Sequence, residues 1–161
     1  MNLSIALFQP DIAQNTGALI RLGACLSVEI HIIHPTGFDF SSKKLKRSGM
    51  DYIELAKIVE HDSFEQFNEW REKQNKRLIL LSTKAKQSVY ETATGVFEFQ
   101  KNDIILLGRE SSGVPDYVVQ KADMAVRIPM KENTRSLNVA IAATMVLSEA
   151  MRQTGGFLDL T

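Results

Sequence analysis

Arg21 stands four residues after Gly17, so a helix would place both on one face and leave open space for a ligand beside the guanidinium. The segment around it, Gln14-Asn15-Thr16-Gly17-Ala18-Leu19-Ile20-Arg21, also offers Asn15, which reads either as a helix cap or as a polar group turned to a ligand. A second segment, Leu107-Gly108-Arg109-Glu110-Ser111-Ser112-Gly113-Val114-Pro115, is an apolar run entering a glycine-bounded loop, with Pro115 suited to a first helical turn. In the third, Ile128-Pro129-Met130 ends an apolar run, and Ser136-Leu137-Asn138 falls where a last helix begins. The free N–H groups and positive dipole end of that helix favour polar or anionic groups, and Ser136 reads as its cap.

Other chemistries find little support. Gly108 and Gly113 are spaced as in a phosphate-cradling loop, but Val114-Pro115 replace the Lys-Ser/Thr that such a loop needs. The dinucleotide G-x-G-x-x-G, the serine-hydrolase G-x-S-x-G and the zinc-binding H-E-x-x-H patterns are all missing from the sequence. His31 and His34 are three apart in an expected strand and point to opposite faces, which makes a poor metal pair. His61 reads as an isolated surface or loop residue, and Asp51 and Glu54 as a solvated acidic face. Cys25, the single cysteine, excludes an intramolecular disulfide and reads as a small buried hydrophobe. No metal site is expected.

The elements that must position these segments follow an α/β pattern. Apolar runs at residues 3–8, 29–33, 78–81, 104–107 and 125–128 predict strands, several too uniformly apolar to have a wet face. A mostly parallel sheet flanked by helices is therefore expected. Helices are predicted at residues 16–26, capped by Asn15, at 63–73, capped by Asp62 or Ser63, and at about 136–153, stopping at Gly155-Gly156. Phe64, Phe67 and Trp70 recur at helical spacing and read as core. From Val139 to Leu147 only Thr144 interrupts an apolar stretch rich in alanine, which suits either a central core helix or a homodimer interface.

With 161 residues, the chain is expected to form one domain spanning 1–161. Hydrophobic residues make up 44% and charged residues 24%, with 19 Lys+Arg against 19 Asp+Glu, a globular and electrically neutral composition. It argues against disorder and against a nonspecific nucleic-acid coat, but leaves room for a local basic patch. No apolar run is long enough for a membrane span, and residues 1–11 lack the features of a signal peptide, so a cytoplasmic location is expected.

Taken in order, Asn15-Thr16-Gly17 with Arg21, Gly108-x-Glu110-x-x-Gly113-x-Pro115, and Ile128-Pro129-Met130 followed by Ser136-Leu137-Asn138-Val139-Ala140 resemble the SPOUT superfamily of RNA methyltransferases, in its ribose 2′-O-methyltransferase branch. Residues 31–38, 43–52 and 82–84 are similar to the minimal, single-domain type that acts on the tRNA wobble nucleotide. The resemblance implies a C-terminal trefoil knot, a homodimer whose active site draws on both subunits, and S-adenosyl-L-methionine as cofactor. Cofactor contacts would fall on Leu81, Thr83, Gly108, Glu110, Gly113, Ile128, Met130, Ser136 and Leu137. Arg21, Asn15, Ser136 and Asn138 would serve catalysis, Arg21 stabilising the developing alkoxide. The basic residues Lys43, Lys44, Lys46 and Arg47, with Lys84 and Lys86, are candidates for gripping the tRNA anticodon stem-loop. Arg109 and Ser148 depart from the pattern: many relatives carry a smaller or less charged residue at the first position and often a tyrosine at the second. The same reaction at another tRNA or ribosomal RNA position, and a knotted RNA-binding protein without catalysis, remain the alternatives.

Overall fold

A computed structural model describes residues 3–41, 43–90, 93 and 95–160. Among the described residues seven strands form one sheet: β1 (Ser4–Phe8), β2 (Glu29–Ile33), β3 (Ile58–His61), β4 (Leu78–Leu81), β5 (Gln87–Ser88), β6 (Ile104–Leu107) and β7 (Met124–Arg127). Their order is β3-β2-β1-β6-β4-β7-β5, and every pairing is parallel. The register sets Leu7 beside Leu107 and Leu107 beside Leu81, so the central strands end at one level. From β1 the chain builds outward through β2 and β3, then crosses over to β4, and β6 later fills the space between the halves. Such a switch point, at the carboxyl ends of parallel strands, is where α/β sheets open a crevice.

The central strands are apolar on both faces because both are covered. On one side Ile5, Leu7, Ile30, Ile32, Ile79, Ile105 and Leu107 pack with residues of α1 (Ala13–Leu26) and α5 (Val139–Thr154). On the other, Ala6, Phe8, Ile33, Leu78, Leu80, Ile104 and Leu106 pack with α3 (Phe64–Lys73) and α4 (Asp116–Lys121). The expected aromatic stripe joins this second layer, with Phe64 and Phe67 buried and Trp70 packed against it. The guanidinium of Arg71, itself buried, ties α3 to the start of β7 by donating to Asp123 Oδ2 at 2.7 Å and to the Lys121 carbonyl at 2.7 Å.

Local signals account for some helix ends. Ser63 Oγ accepts from Gln66 N at 3.1 Å and caps α3, as expected. Gly155, with φ 76°, closes α5 in the left-handed conformation that glycine accepts at low cost. Two starts differ from expectation. α1 begins at Ala13 with Ile12 as a cap that makes no side-chain bond, so Asn15 lies inside the first turn and its amide serves other partners. α5 begins at Val139, and its cap is Asn138, whose Oδ1 accepts from Ala140 N and Ile141 N; Ser136 remains in the preceding coil.

The last predicted strand sits one residue earlier, at Met124–Arg127, and short elements that no sequence pattern announces appear: β3, β5, α2 (Lys43–Gly49) and a 3₁₀ turn at Met50–Ile53; the helix that Pro115 signals is α4, with Pro115 at its cap, one residue before the first turn. Cys25 is exposed, not buried, because α1 turns that position outward. His61 is buried at the end of β3, where its Nε2 lies 3.0 Å from His31 Nδ1, so it is neither isolated nor on the surface. His31 packs on Trp70 and Phe67, and burial, with the charges of His61 and Lys76 adding to it, pushes its pKa down to about 3. His34 leaves this cluster as the strand alternation requires, with Nε2 2.6 Å from Glu60 Oε2.

Candidate active site

Loops following β1, β4, β6 and β7 enclose a cavity of about 760 Å³ at the carboxyl ends of the strands. Its wall includes Leu81 and Thr83 after β4, Gly108, Glu110 and Gly113 after β6, and Ile128, Met130, Ser136 and Leu137 after β7. Asn15, Asn138 and Lys84 also line it. The nine residues assigned to the cofactor from the sequence thus converge on one space, although they come from three separate segments.

The loop after β6 is the most tightly built part of this wall. Arg109 and Gly113 exchange backbone hydrogen bonds of 2.9 and 2.8 Å, closing a small antiparallel bridge. A Cβ on Gly108 would lie 2.8 Å from the backbone of Gly113, so only glycine permits this approach. Gly113 itself has φ +67°, which a side chain would strain.

Asp11, which no sequence motif singles out, anchors this loop to the end of β1. Its backbone N–H donates to Glu110 Oε2 at 3.0 Å, its Oδ1 accepts from Glu110 N at 3.2 Å, and Ser111 Oγ donates to its Oδ2. The pair Pro10-Asp11 directly after an apolar strand is the available signal, since loops at strand ends carry sites. Burial, and then hydrogen bonding with Asp11, lifts the Glu110 carboxyl above the ordinary glutamate range. The same pairing lowers Asp11, helped by Ser111 and the Arg109 charge against the opposing effect of burial.

From Glu110 the network continues through both other segments. Asn15 Nδ2 donates to Glu110 Oε1 at 3.3 Å, and Asn138 Nδ2 donates to Asn15 Oδ1 at 3.0 Å. Asn138 meanwhile caps α5 with its own oxygen. The first turn of α1, the loop after β6 and the N-terminus of α5 are fixed to one another by three side chains. Ser136, one of the expected polar residues, is exposed at the cavity wall.

Arg21 does not reach this cavity. It is six residues beyond Asn15, about 9 Å along α1 and on a different face. It lines a shallower depression of about 330 Å³ with Ala18, Cys25, Ile141 and Thr144, and its guanidinium lies over the Tyr52 ring, 4.8 Å from the centroid. Gly17 is buried while Arg21 is exposed. Beside the depression, α5 presents Ile141, 57% exposed, and Met145, 36% exposed, so one face of this apolar helix is uncovered within the chain.

Lys43, Lys46 and Arg47 are exposed on α2, which packs on α1, and Lys84 and Lys86 are exposed after β4. The side chain of Lys44 lies outside the described residues. Arg109 lines the cavity, with Nε 3.7 Å from Asp11 Oδ2, and Ser148 is exposed on α5. Among the described residues there is no group of three His, Cys, Asp or Glu side chains that could hold a metal ion, and no helix long and apolar enough to cross a membrane.

Known proteins resemble this chain along nearly its whole length. The tRNA (cytidine(34)-2′-O)-methyltransferase of Ancylobacter novellus is 48% identical over 157 residues, covering 98% of this chain and 96% of that protein. The Escherichia coli K12 protein of the same name is 36% identical over 155 residues, covering 95% and 94%. A solved structure that addresses the 2-OH methylation of C/U34 on tRNA superposes with a TM-score of 0.85 at 38% identity, covering 94% of this chain and 95% of the other. The SpoU methyltransferase AviRb from Streptomyces viridochromogenes, in complex with the cofactor AdoMet, gives 0.84 at 25% identity, covering 94% of this chain and 60% of that longer one. Residues 2–148 match the model of the SpoU rRNA Methylase family, and the chain belongs to that family.

Proposed function

We propose that this chain transfers the methyl group of S-adenosyl-L-methionine to the ribose 2′-oxygen of the wobble nucleotide, cytidine or uridine at position 34, of tRNA. The observation that carries the reading is the convergence of the three polar segments on one cavity, joined through Glu110, Asn15 and Asn138. The names of the relatives supply the position: two that match along nearly their whole length are tRNA (cytidine(34)-2′-O)-methyltransferases.

The lining suits the cofactor. A volume of about 760 Å³ lies within the range of small-molecule sites. The apolar Leu81, Ile128, Met130 and Leu137 stand beside the hydroxyls of Thr83 and Ser136 and the carboxyl of Glu110, a mixture that fits a ligand part aromatic and part zwitterionic. Gly108 and Gly113 keep the loop backbone close and unobstructed. When bound, S-adenosyl-L-methionine supplies an electrophilic methyl group on a sulfonium.

The chain's own task is to orient the ribose and to ease loss of a weakly acidic proton. Arg21 lowers the effective pKa of the 2′-hydroxyl and stabilises the alkoxide as it develops, with the proton passing to a phosphate or water. A guanidinium holds its own proton too firmly to act as the base. Asn15, Ser136 and Asn138 orient the reacting groups, and Glu110 holds the loop that carries it.

Since Arg21 lines a depression bounded by the uncovered face of α5, the reading includes a homodimer in which Arg21 of one protomer completes the cavity of the other. Asn138 at the head of α5 lines the cavity, and Ile141 and Thr144 one and two turns on line the depression, a continuous path between the two. A single domain over residues 1–161, a C-terminal trefoil knot, a metal-free reaction and a cytoplasmic location belong to the same proposal. The single sheet supports the first, and the passage of the loop after β6 beside the segment leading to α5 supports the second. Lys43, Lys44, Lys46, Arg47 and Lys84 would grip the anticodon stem-loop.

The test is incubation with methyl-labelled S-adenosyl-L-methionine and bulk tRNA lacking ribose methylation, followed by digestion and mapping of the label. Label on the 2′-oxygen of nucleotide 34 is expected. Label elsewhere in tRNA, or no label in tRNA despite cofactor binding, would refute the position. Failure to bind the cofactor would refute the reaction.

A further inference from the structure

The geometry points to Tyr52 as a positioning residue for Arg21, its ring face fixing where the guanidinium is presented to the substrate; this rests on the proposed role of Arg21. Arg21 stands on an exposed face of α1, and a contact that holds the head of a long side chain restricts its rotamers. Its Cζ lies 4.8 Å from the centroid of the Tyr52 ring, within the distance at which a cation is drawn to an aromatic face. The ring is a firm platform. Tyr52 belongs to the 3₁₀ turn that packs on α1, and its carbonyl accepts from Leu55 N at 3.1 Å and Ala56 N at 2.8 Å. Ile53 and Ala56, on either side of that turn's end, pack against the main core.

The attraction uses the face of the ring, which phenylalanine also has and an aliphatic side chain lacks. Tyr52 should therefore act on the turnover of bound RNA and leave the cofactor cavity alone, since it does not line that cavity.

The test is methyl transfer to tRNA by full-length Tyr52→Phe, Tyr52→Leu and Tyr52→Met, with cofactor affinity and melting temperature measured on each. Tyr52→Phe should stay within about twofold of the parent in kcat. The two aliphatic variants should lose about threefold to thirtyfold in kcat, with KM for tRNA and cofactor affinity within about twofold. Parental kcat in either aliphatic variant would overturn the proposal, as would a Phe variant as slow as the Leu variant. Arg21→Ala and the Arg21→Ala/Tyr52→Leu double variant, read under single-turnover conditions, separate the two roles. No further loss in the double variant supports action through Arg21. A further loss equal to that in the parent overturns the role of Tyr52 and leaves Arg21 in place. A fully active Arg21→Ala enzyme would remove Arg21 from the mechanism and this inference with it.

Discussion

Replacing Gly108 with alanine tests whether the loop after β6 shapes the cavity. The new Cβ would stand 2.8 Å from both the Cα and the carbonyl carbon of Gly113, where ordinary contact begins at 3.4 Å. One side of the loop must yield by about 0.6 Å, and both neighbours are backbone held by the 2.9 and 2.8 Å hydrogen bonds between Arg109 and Gly113. Overpacking of this kind costs roughly 1–3 kcal/mol. If the loop moves aside, the loss falls on ligand affinity, a rise in Kd of about fivefold to 150-fold; if it holds, the loss falls on stability. Calorimetric titration of S-adenosyl-L-methionine and a thermal melt on the same protein read the two together. Gly113→Ala is the control, for its Cβ meets nothing within 4 Å and only the φ of +67° is strained, at about 1–2 kcal/mol. Gly113→Asn should cost less, since asparagine tolerates that region. Parental affinity and parental melting temperature in Gly108→Ala would refute the reasoning.

Burial holds the His31 pKa at about 3 against an ordinary value of 6.5, so between these values the unfolded chain binds a proton that the folded chain refuses. Stability therefore falls as pH drops through this window, by about 2 kcal/mol from this residue between pH 6.5 and 5, and His61 acts in the same direction. Urea denaturation at pH 7.5 and 5 should show that difference, and His31→Gln should shrink it by about the same amount; an unchanged pH dependence would contradict the assignment. Lys46→Glu and Arg47→Glu, both at exposed positions on α2, should weaken tRNA binding and lower the slope of log K against log salt by about 1 for each phosphate no longer neutralised, with cofactor affinity kept. A slope equal to the parent's would take that residue out of the RNA interface.

What the sequence makes legible follows from how strongly each element is written. The interior strands β1, β4 and β6 are nearly uniform apolar runs, and β2 keeps three isoleucines around His31; their predicted and observed limits agree almost to the residue. β3 carries Glu60 and His61 at the sheet edge and β5 has two residues, so neither has a periodic pattern to read. α2 and α4 are too short for one. Asn15 misleads because an asparagine just before an apolar stretch is the usual cap signal, whereas Ile12 takes the cap position without any side-chain bond. The role of Asp11 depends on residues 99 and 100 positions away, and local spacing carries no trace of such partners. The cavity wall is readable because its three polar segments each follow an apolar strand. That Arg21 stands apart from Asn15 follows from six residues of helix between them, but the depression it lines depends on α5 packing alongside, which local spacing does not show.

The bonds that join the cavity wall also set when the cavity can exist. Glu110 meets Asn15 across 95 residues, and Asn138 meets Asn15 across 123. Contacts of such high sequence separation form late and slowly, because the closure entropy of the intervening loop must be met first. A nascent chain still tethered before α5 lacks Asn138 and with it the last side chain of the network, however complete its early strands. Ligand affinity should therefore arrive in one step once the head of α5 has joined the fold, making cofactor binding a sensitive reporter of whether these distant segments have closed on one another.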